Sequence, residues 1–129
     1  MQPTHDLRVV ATQRLLSPRA LKTRIPTTEA ANATVIAGRQ TVRRILARED
    51  QRLLVVIGPC SIHDRASAIE YATLFKELSL KVAPALFLVM RVYVEKPRTS
   101  TGWKGLLYDP HLDGSHDIQT GLLWTRELQ

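Results

Sequence analysis

Aromatic residues are scarce in this 129-residue chain, at 5%, and there is one cysteine, Cys60. A single cysteine excludes an intrachain disulfide, and with it the small disulfide-stapled class of domain. No apolar run approaches the ~20 residues that a membrane-spanning helix needs. The N-terminus, MQPTHDLRVV, carries Asp6 ahead of any apolar run and lacks the basic start and apolar core of a signal peptide, so a cytoplasmic location is expected. There is no internal repeat and no phosphate-binding glycine loop of the GxxxxGK[ST] or GxGxxG kind. Acidic residues are in deficit: Lys plus Arg number 18 against 12 Asp plus Glu, a net charge of +6. The ordinary reading of that excess is solvated arginine, although nucleic acid, anionic membrane or phosphorylated metabolites would also suit it. The basic residues are scattered over 8–22, 39–52 and 91–104. A nucleic-acid arm is more concentrated and more aromatic, so neither nucleic acid nor membrane is expected as a partner.

What is present suits one globular domain, with 44% hydrophobic and 23% charged residues. Residues 1–26 read as an extension interrupted at Pro18 and Pro26, with a short amphipathic turn around Leu15, Leu16 and Leu21. Thr27 and Thr28 offer an N-cap, and Glu29 falls in the first turn, where the helix dipole favours a negative charge. Ala31, Val35, Gly38, Val42 and Ile45 then recur at helical spacing, predicting a helix to about Ala47. Leu53 to Ile57 is a continuous apolar run, the pattern of a parallel strand buried on both faces, and Gly58 and Pro59 end it. Asp64 can cap a second helix whose core face reads Ala68, Tyr71, Ala72, Phe75 and Leu78. Leu86 to Val94 is a second strand-like run, closed by Pro97. Strand, helix, strand is a βαβ unit. From Thr99 the chain turns to Gly, Asp, His and Pro, as in a long loop, and a last helix is expected from about Ile118 to Gln129. Two parallel strands with one crossover cannot bury both faces of a sheet, which points to a piece of a larger α/β protein; a small complete α+β domain is the alternative.

In parallel α/β proteins ligands sit at the carboxyl ends of the strands. Here those ends deliver Cys60, Ser61 and His63 from the first run, and Arg91, Glu95, Lys96, Arg98 and Thr99 from the second. Arg91 interrupts an apolar strand, which is costly unless it is paired. It is read as a salt bridge with Glu95 or as a fixed cation for a carboxylate or phosphate. Lys96-Pro97-Arg98-Thr99 sets two cations and a hydroxyl around a stiff proline, a combination suited to phosphate. Cys60 alone reads as structural first, as a metal ligand second and as a nucleophile third. Asp109, Asp113, His63, His111 and His116 are metal donors by type, without a spacing that binds them into one site. Trp103, between glycines, reads as a loop aromatic packed over the sheet end.

The segments RLLVVIGPCSIHD, EYA, VMRVYVEKPRT, GWKGL and DPH, in that order, closely resemble the first part of class I 3-deoxy-D-arabino-heptulosonate 7-phosphate (DAHP) synthase, the type with feedback-regulated bacterial members. The resemblance runs from about Asp6 to the C-terminus. It implies an α/β fold: an N-terminal extension and the first βαβ portion of a TIM (β/α)8 barrel, with the barrel incomplete. Residues 1–50 would be an extension and helix of regulatory or oligomerising kind, and 51–129 the start of the catalytic barrel. The implied activity is condensation of phosphoenolpyruvate with erythrose 4-phosphate to DAHP and phosphate, the first step of the shikimate pathway to aromatic amino acids. A divalent metal of the Mn2+, Fe2+, Co2+ or Zn2+ class and a homo-oligomer are implied with it.

Residue by residue, the resemblance matches Cys60 to the family's metal-binding cysteine, and Arg91 and Lys96 to residues that hold phosphoenolpyruvate and serve catalysis. Lys96, Arg98 and Thr99 match the motif that also engages erythrose 4-phosphate. Asp6 lies where an aspartate of the family lines an inhibitor pocket formed with a neighbouring subunit. The family's other metal ligands, a histidine, a glutamate and an aspartate, come from later barrel strands. Val94 and Tyr108 depart from the family, which commonly has phenylalanine and a small polar residue there. The expected part is an N-terminal portion inactive by itself, the alternative being a non-catalytic module that joins a full-length synthase.

Overall fold

The computed structural model describes residues 7–9, 11–97 and 102–129. Among these described residues, four helices and two strands follow in the order α1 (Pro18–Arg24), α2 (Glu29–Leu46), β1 (Leu53–Ile57), α3 (Arg65–Val82), β2 (Leu86–Met90) and α4 (Ile118–Leu128). Each helix starts where a short polar side chain satisfies the open backbone N–H groups of its first turn. Thr28 accepts from Ala31 N at 3.1 Å, Asp64 from Ser67 N at 2.6 Å and Asp117 from Thr120 N at 3.1 Å. Ser17 does the same for α1, so Pro18 opens that helix instead of interrupting the chain; a missing N–H costs nothing at the first helical position.

β1 and β2 pair in parallel from Leu53↔Leu86 to Ile57↔Met90. The second strand is four residues shorter than its apolar run. Arg91 N still donates to Ile57 O at 2.9 Å, but Pro59 has no N–H with which to continue the ladder. Arg91 therefore follows the strand end and does not interrupt the strand. α3 packs on β2 and α4, α2 on β1, and α1 on α4.

Two expectations about burial are corrected. β1 is not covered on both faces: Leu53 is 67% and Val56 61% exposed, because among the described residues the sheet has two strands only. On α3, Leu78 is half-exposed and Ser79 takes its place on the inner face with Ala68, Tyr71, Ala72 and Phe75. The core instead lies past the strand ends. Leu106 (0% exposed), Ile62, Val94 and Ala68 form it, with Val92, Trp103, Trp124 and Leu128 packed around. The stretch expected to be a long loop thus supplies the best-buried side chain among the described residues, Leu106. Among the described residues no helix is long and apolar enough to cross a membrane.

Candidate functional site at the carboxyl ends of the strands

The two strand ends approach each other closely at Gly58. A Cβ there would lie 2.3 Å from Arg91 O and 2.9 Å from Arg91 N, so the close approach requires glycine. Pro59 and Cys60 follow, and the chain turns back so that Ile62 N donates to Tyr93 O at 2.7 Å. On its other side the 92–96 segment is held by Leu107 N to Val94 O at 3.0 Å and Lys96 N to Lys104 O at 2.7 Å. Gly105 makes room for this contact at φ +129°; a Cβ there would lie 2.3 Å from Val94 O. The segment carrying Arg91 and Lys96 is therefore clamped between the Cys60 turn and the loop around Gly105.

The clamp brings three predicted side chains together. The Arg91 guanidinium donates through one terminal nitrogen to Pro59 O at 3.0 Å and Gly58 O at 3.3 Å, and lies 5.1 Å from the centre of the Tyr93 ring. Lys96 Nζ donates to Cys60 Sγ. Cys60 is exposed and Lys96 half-buried. Arg91 does not pair with Glu95, contrary to the salt-bridge reading: Glu95 instead accepts from the Tyr108 hydroxyl at 3.1 Å. Among the described residues, neither Arg91 nor Lys96 takes part in a salt bridge. Two cations fixed by carbonyls and a sulfur, with no carboxylate paired to them among the described residues, form an anion-receptive rim. Arg91 Nε is buried without a partner, a further open donor beside the rim.

Asp6, Arg98 and Thr99 lie outside the described residues. The three histidines considered as metal donors are exposed; His63 lies three residues after Cys60 in irregular chain, whereas His111 faces Asp117 at 3.7 Å and meets the Trp124 ring edge-on at 5.3 Å. Among the described residues no three His, Cys, Asp or Glu side chains group to hold a metal ion. Trp103 packs on the core and donates through Nε1 to Asp109 O at 2.9 Å, as a loop aromatic should. The Glu95–Tyr108 bond was missed in the sequence. It pushes the Tyr108 hydroxyl above the usual tyrosine range, through the hydrogen bond to Glu95 and then its charge. Tyr108 was visible only as a departure from the resembled family, and nothing local tied it to Glu95.

A sequence profile of the DAHP synthetase I family matches residues 24–127. The Tyr-sensitive phospho-2-dehydro-3-deoxyheptonate aldolase of Salmonella typhimurium is 49% identical over 124 residues, which is 96% of this chain and 35% of that protein. The Phe-sensitive protein of that name from Escherichia coli (strain K12) is 51% identical over 123 residues, 95% of this chain and 35% of its own. A solved structure of the Francisella tularensis SCHU S4 phospho-2-dehydro-3-deoxyheptonate aldolase superposes with a TM-score of 0.87 at 43% identity, covering 93% of this chain and 35% of that one. The chain spans about a third of the length of these relatives.

Proposed function

The chain belongs to the DAHP synthetase I family, and from that premise we propose that it furnishes the first part of a DAHP synthase active site, condensing phosphoenolpyruvate with erythrose 4-phosphate and releasing phosphate. The observation that carries this reading is the convergence of Arg91, Lys96 and Cys60 on one rim at the carboxyl ends of parallel strands. Both substrates are phosphorylated, so bringing them together requires fixed cations that cancel their repulsion. Arg91, anchored on two carbonyls, holds the phosphoenolpyruvate anion in place. Lys96, on a longer and more mobile stem, moves from the Cys60 sulfur to the substrate phosphate. Arg98 and Thr99, by their match to the family's motif, engage erythrose 4-phosphate in this reading. The enol carbon attacks the aldehyde carbon, water adds at the enol ester carbon, and phosphate leaves by C–O cleavage.

A divalent metal of the Mn2+, Fe2+, Co2+ or Zn2+ class belongs to this proposal only in part. The Cys60 thiol is a donor that suits such ions and is exposed on the rim, but it is one donor. The described residues do not complete a metal site, so no step is assigned through the ion; bound by further ligands, it would polarise the aldehyde carbonyl. The remaining (β/α) units of a TIM barrel supply those ligands in this reading. Residues 51–129 are the opening of that barrel, and 1–50 form the extension through which a homo-oligomer and an inhibitor pocket at Asp6 are built. The setting is cytoplasmic.

The test is a complete family synthase in which the matching segment is replaced by this sequence, assayed for phosphoenolpyruvate consumption with erythrose 4-phosphate and Mn2+. Turnover is expected. Lys96→Ala and Arg91→Ala are each expected to lower kcat/KM by roughly 10- to 100-fold, the scale of a lost charge-assisted hydrogen bond. A folded chimera that does not turn over, or variants with unchanged kcat/KM, would contradict the assignment.

A further inference from the structure

The positive charge of the chain is unevenly placed. Residues 1–50 carry nine Lys and Arg against four Asp and Glu, whereas residues 51–129 carry nine against eight. Three cations from three helices share one cavity. Lys22 of α1, Arg39 of α2 and Arg126 of α4 line a space of about 520 Å3, with Thr27 and Asn32 beside them and no Asp or Glu among the described residues of its wall. The Arg126 guanidinium is held in place: Nε donates to Ile25 O at 3.1 Å and one terminal nitrogen to Thr27 Oγ1 at 2.6 Å. Glu127, the acid next to it in the chain, pairs with Arg65 instead. Among the described residues none of the three cations takes part in a salt bridge. Like charges gathered in one place repel, and here no carboxylate pairs with them to offset that repulsion. The rim residues Cys60, Arg91 and Lys96 do not line this cavity.

We propose that the cavity between α1, α2 and α4 is a second anion site and that it takes a phosphate group. A phosphate carries almost two negative charges near neutral pH and several acceptor oxygens, so it can meet a donor from each helix; a carboxylate has one charge and two oxygens. Arg126 provides the fixed donor, and Lys22 and Arg39, both exposed, close on the anion from α1 and α2. Bound there, the phosphate ties the extension to α4 by charge. The inference does not rest on the catalytic reading, since the two sites share no residue.

The experiment titrates the full chain with inorganic phosphate at constant ionic strength and follows backbone amide shifts by NMR. Saturable shifts are expected at Lys22, Thr27, Asn32 and Arg39, and they should persist in Lys96→Ala, where the strand-end rim is disarmed. Lys22→Gln and Arg39→Gln, at exposed positions where the fold should hold, are each expected to weaken binding by roughly three- to tenfold. Arg44→Gln, which removes another exposed arginine of α2 outside the cavity, should leave it unchanged. Methyl phosphate that binds as well as inorganic phosphate identifies a phosphate ester as the ligand, and its exclusion identifies the free ion. Acetate binding as tightly as phosphate overturns the phosphate assignment. The proposal also falls if no saturable shift appears at these residues, if the shifts vanish in Lys96→Ala, or if Arg44→Gln weakens binding as much as Arg39→Gln. None of these readouts involves turnover, so failure here and failure of the proposed function are told apart.

Discussion

The two halves of this molecule invert the usual relation between regularity and burial. The βαβ part has well-formed elements, yet it leaves Leu53, Val56, Leu74 and Leu80 largely open to solvent. The loop-rich part beyond the strand ends has one helix, yet it holds Leu106, Ile62 and Val94 in a closed core. Local pattern and capping are enough to form a strand or helix, but cover comes from neighbours, and the βαβ part has few. The loop part completes its own packing through glycine contacts. A Cβ on Gly121 of α4 would lie 2.1 Å from Leu107 O, so this helix sits directly on the loop backbone. The candidate site stands on this closed part, as a fixed array of charges requires.

The largest expected effect breaks the comparison if it fails. Leu106→Ala should destabilise the chain by about 2–5 kcal/mol, while Leu80→Ala, at a residue 70% exposed, should stay within about 0.5 kcal/mol in urea unfolding. Equal costs would mean the core is misplaced. Acid separates the same two regions. The helices bordering the closed part, α3 and α4, are capped by Asp64 and Asp117, whose carboxyls are held below the usual range by hydrogen bonds from Ser67 and Thr120. A carboxyl depressed on folding stabilises the fold where it is ionised. That contribution is full above about pH 4 and is lost as pH falls through the lowered folded value. Helix α2 is capped by the Thr28 hydroxyl, which carries no titrating proton in this range. Amide exchange below pH 4 should therefore quicken in the first turns of α3 and α4 before that of α2. Asp50, lowered to about 2 by its hydrogen bonds with Arg52, should keep its ion pair longest.

Smaller effects sharpen the picture. Tyr108 should ionise above the usual tyrosine range in an ultraviolet titration, and Glu95→Gln should bring it down. At the far end of the βαβ part, Arg48 closes α2 at φ 61°, where glycine is at ease. Arg48→Gly should raise stability by up to about 1 kcal/mol in the same urea assay.

The sequence made the elements legible wherever the cause is local. Thr28 and Asp64 caps, the LLVVI strand and the helix from Ile118 all rest on neighbours within four residues. The meeting of Cys60, Arg91 and Lys96 was also legible, because two parallel strands must end on the same side. What was hidden depends on distant partners. β2 stops at Met90 because Pro59 sits across from its continuation, and Ser79 replaces Leu78 because of where α3 happens to face. The closed core under the loop was signalled only by Leu106 and Leu107, an apolar pair in a polar stretch, and by Trp103 between glycines. The Glu95–Tyr108 bond had no signal, since side chains 13 residues apart meet only once the loop is folded.

The convergence of thiol and cation on one rim is open to a direct chemical measurement. A short thiol-to-amine crosslinker anchored on Cys60 should be recovered by peptide mapping joined to Lys96, whose Nζ already contacts the sulfur. Crosslinks to Lys76 or Lys81 of α3, with none to Lys96, would contradict it.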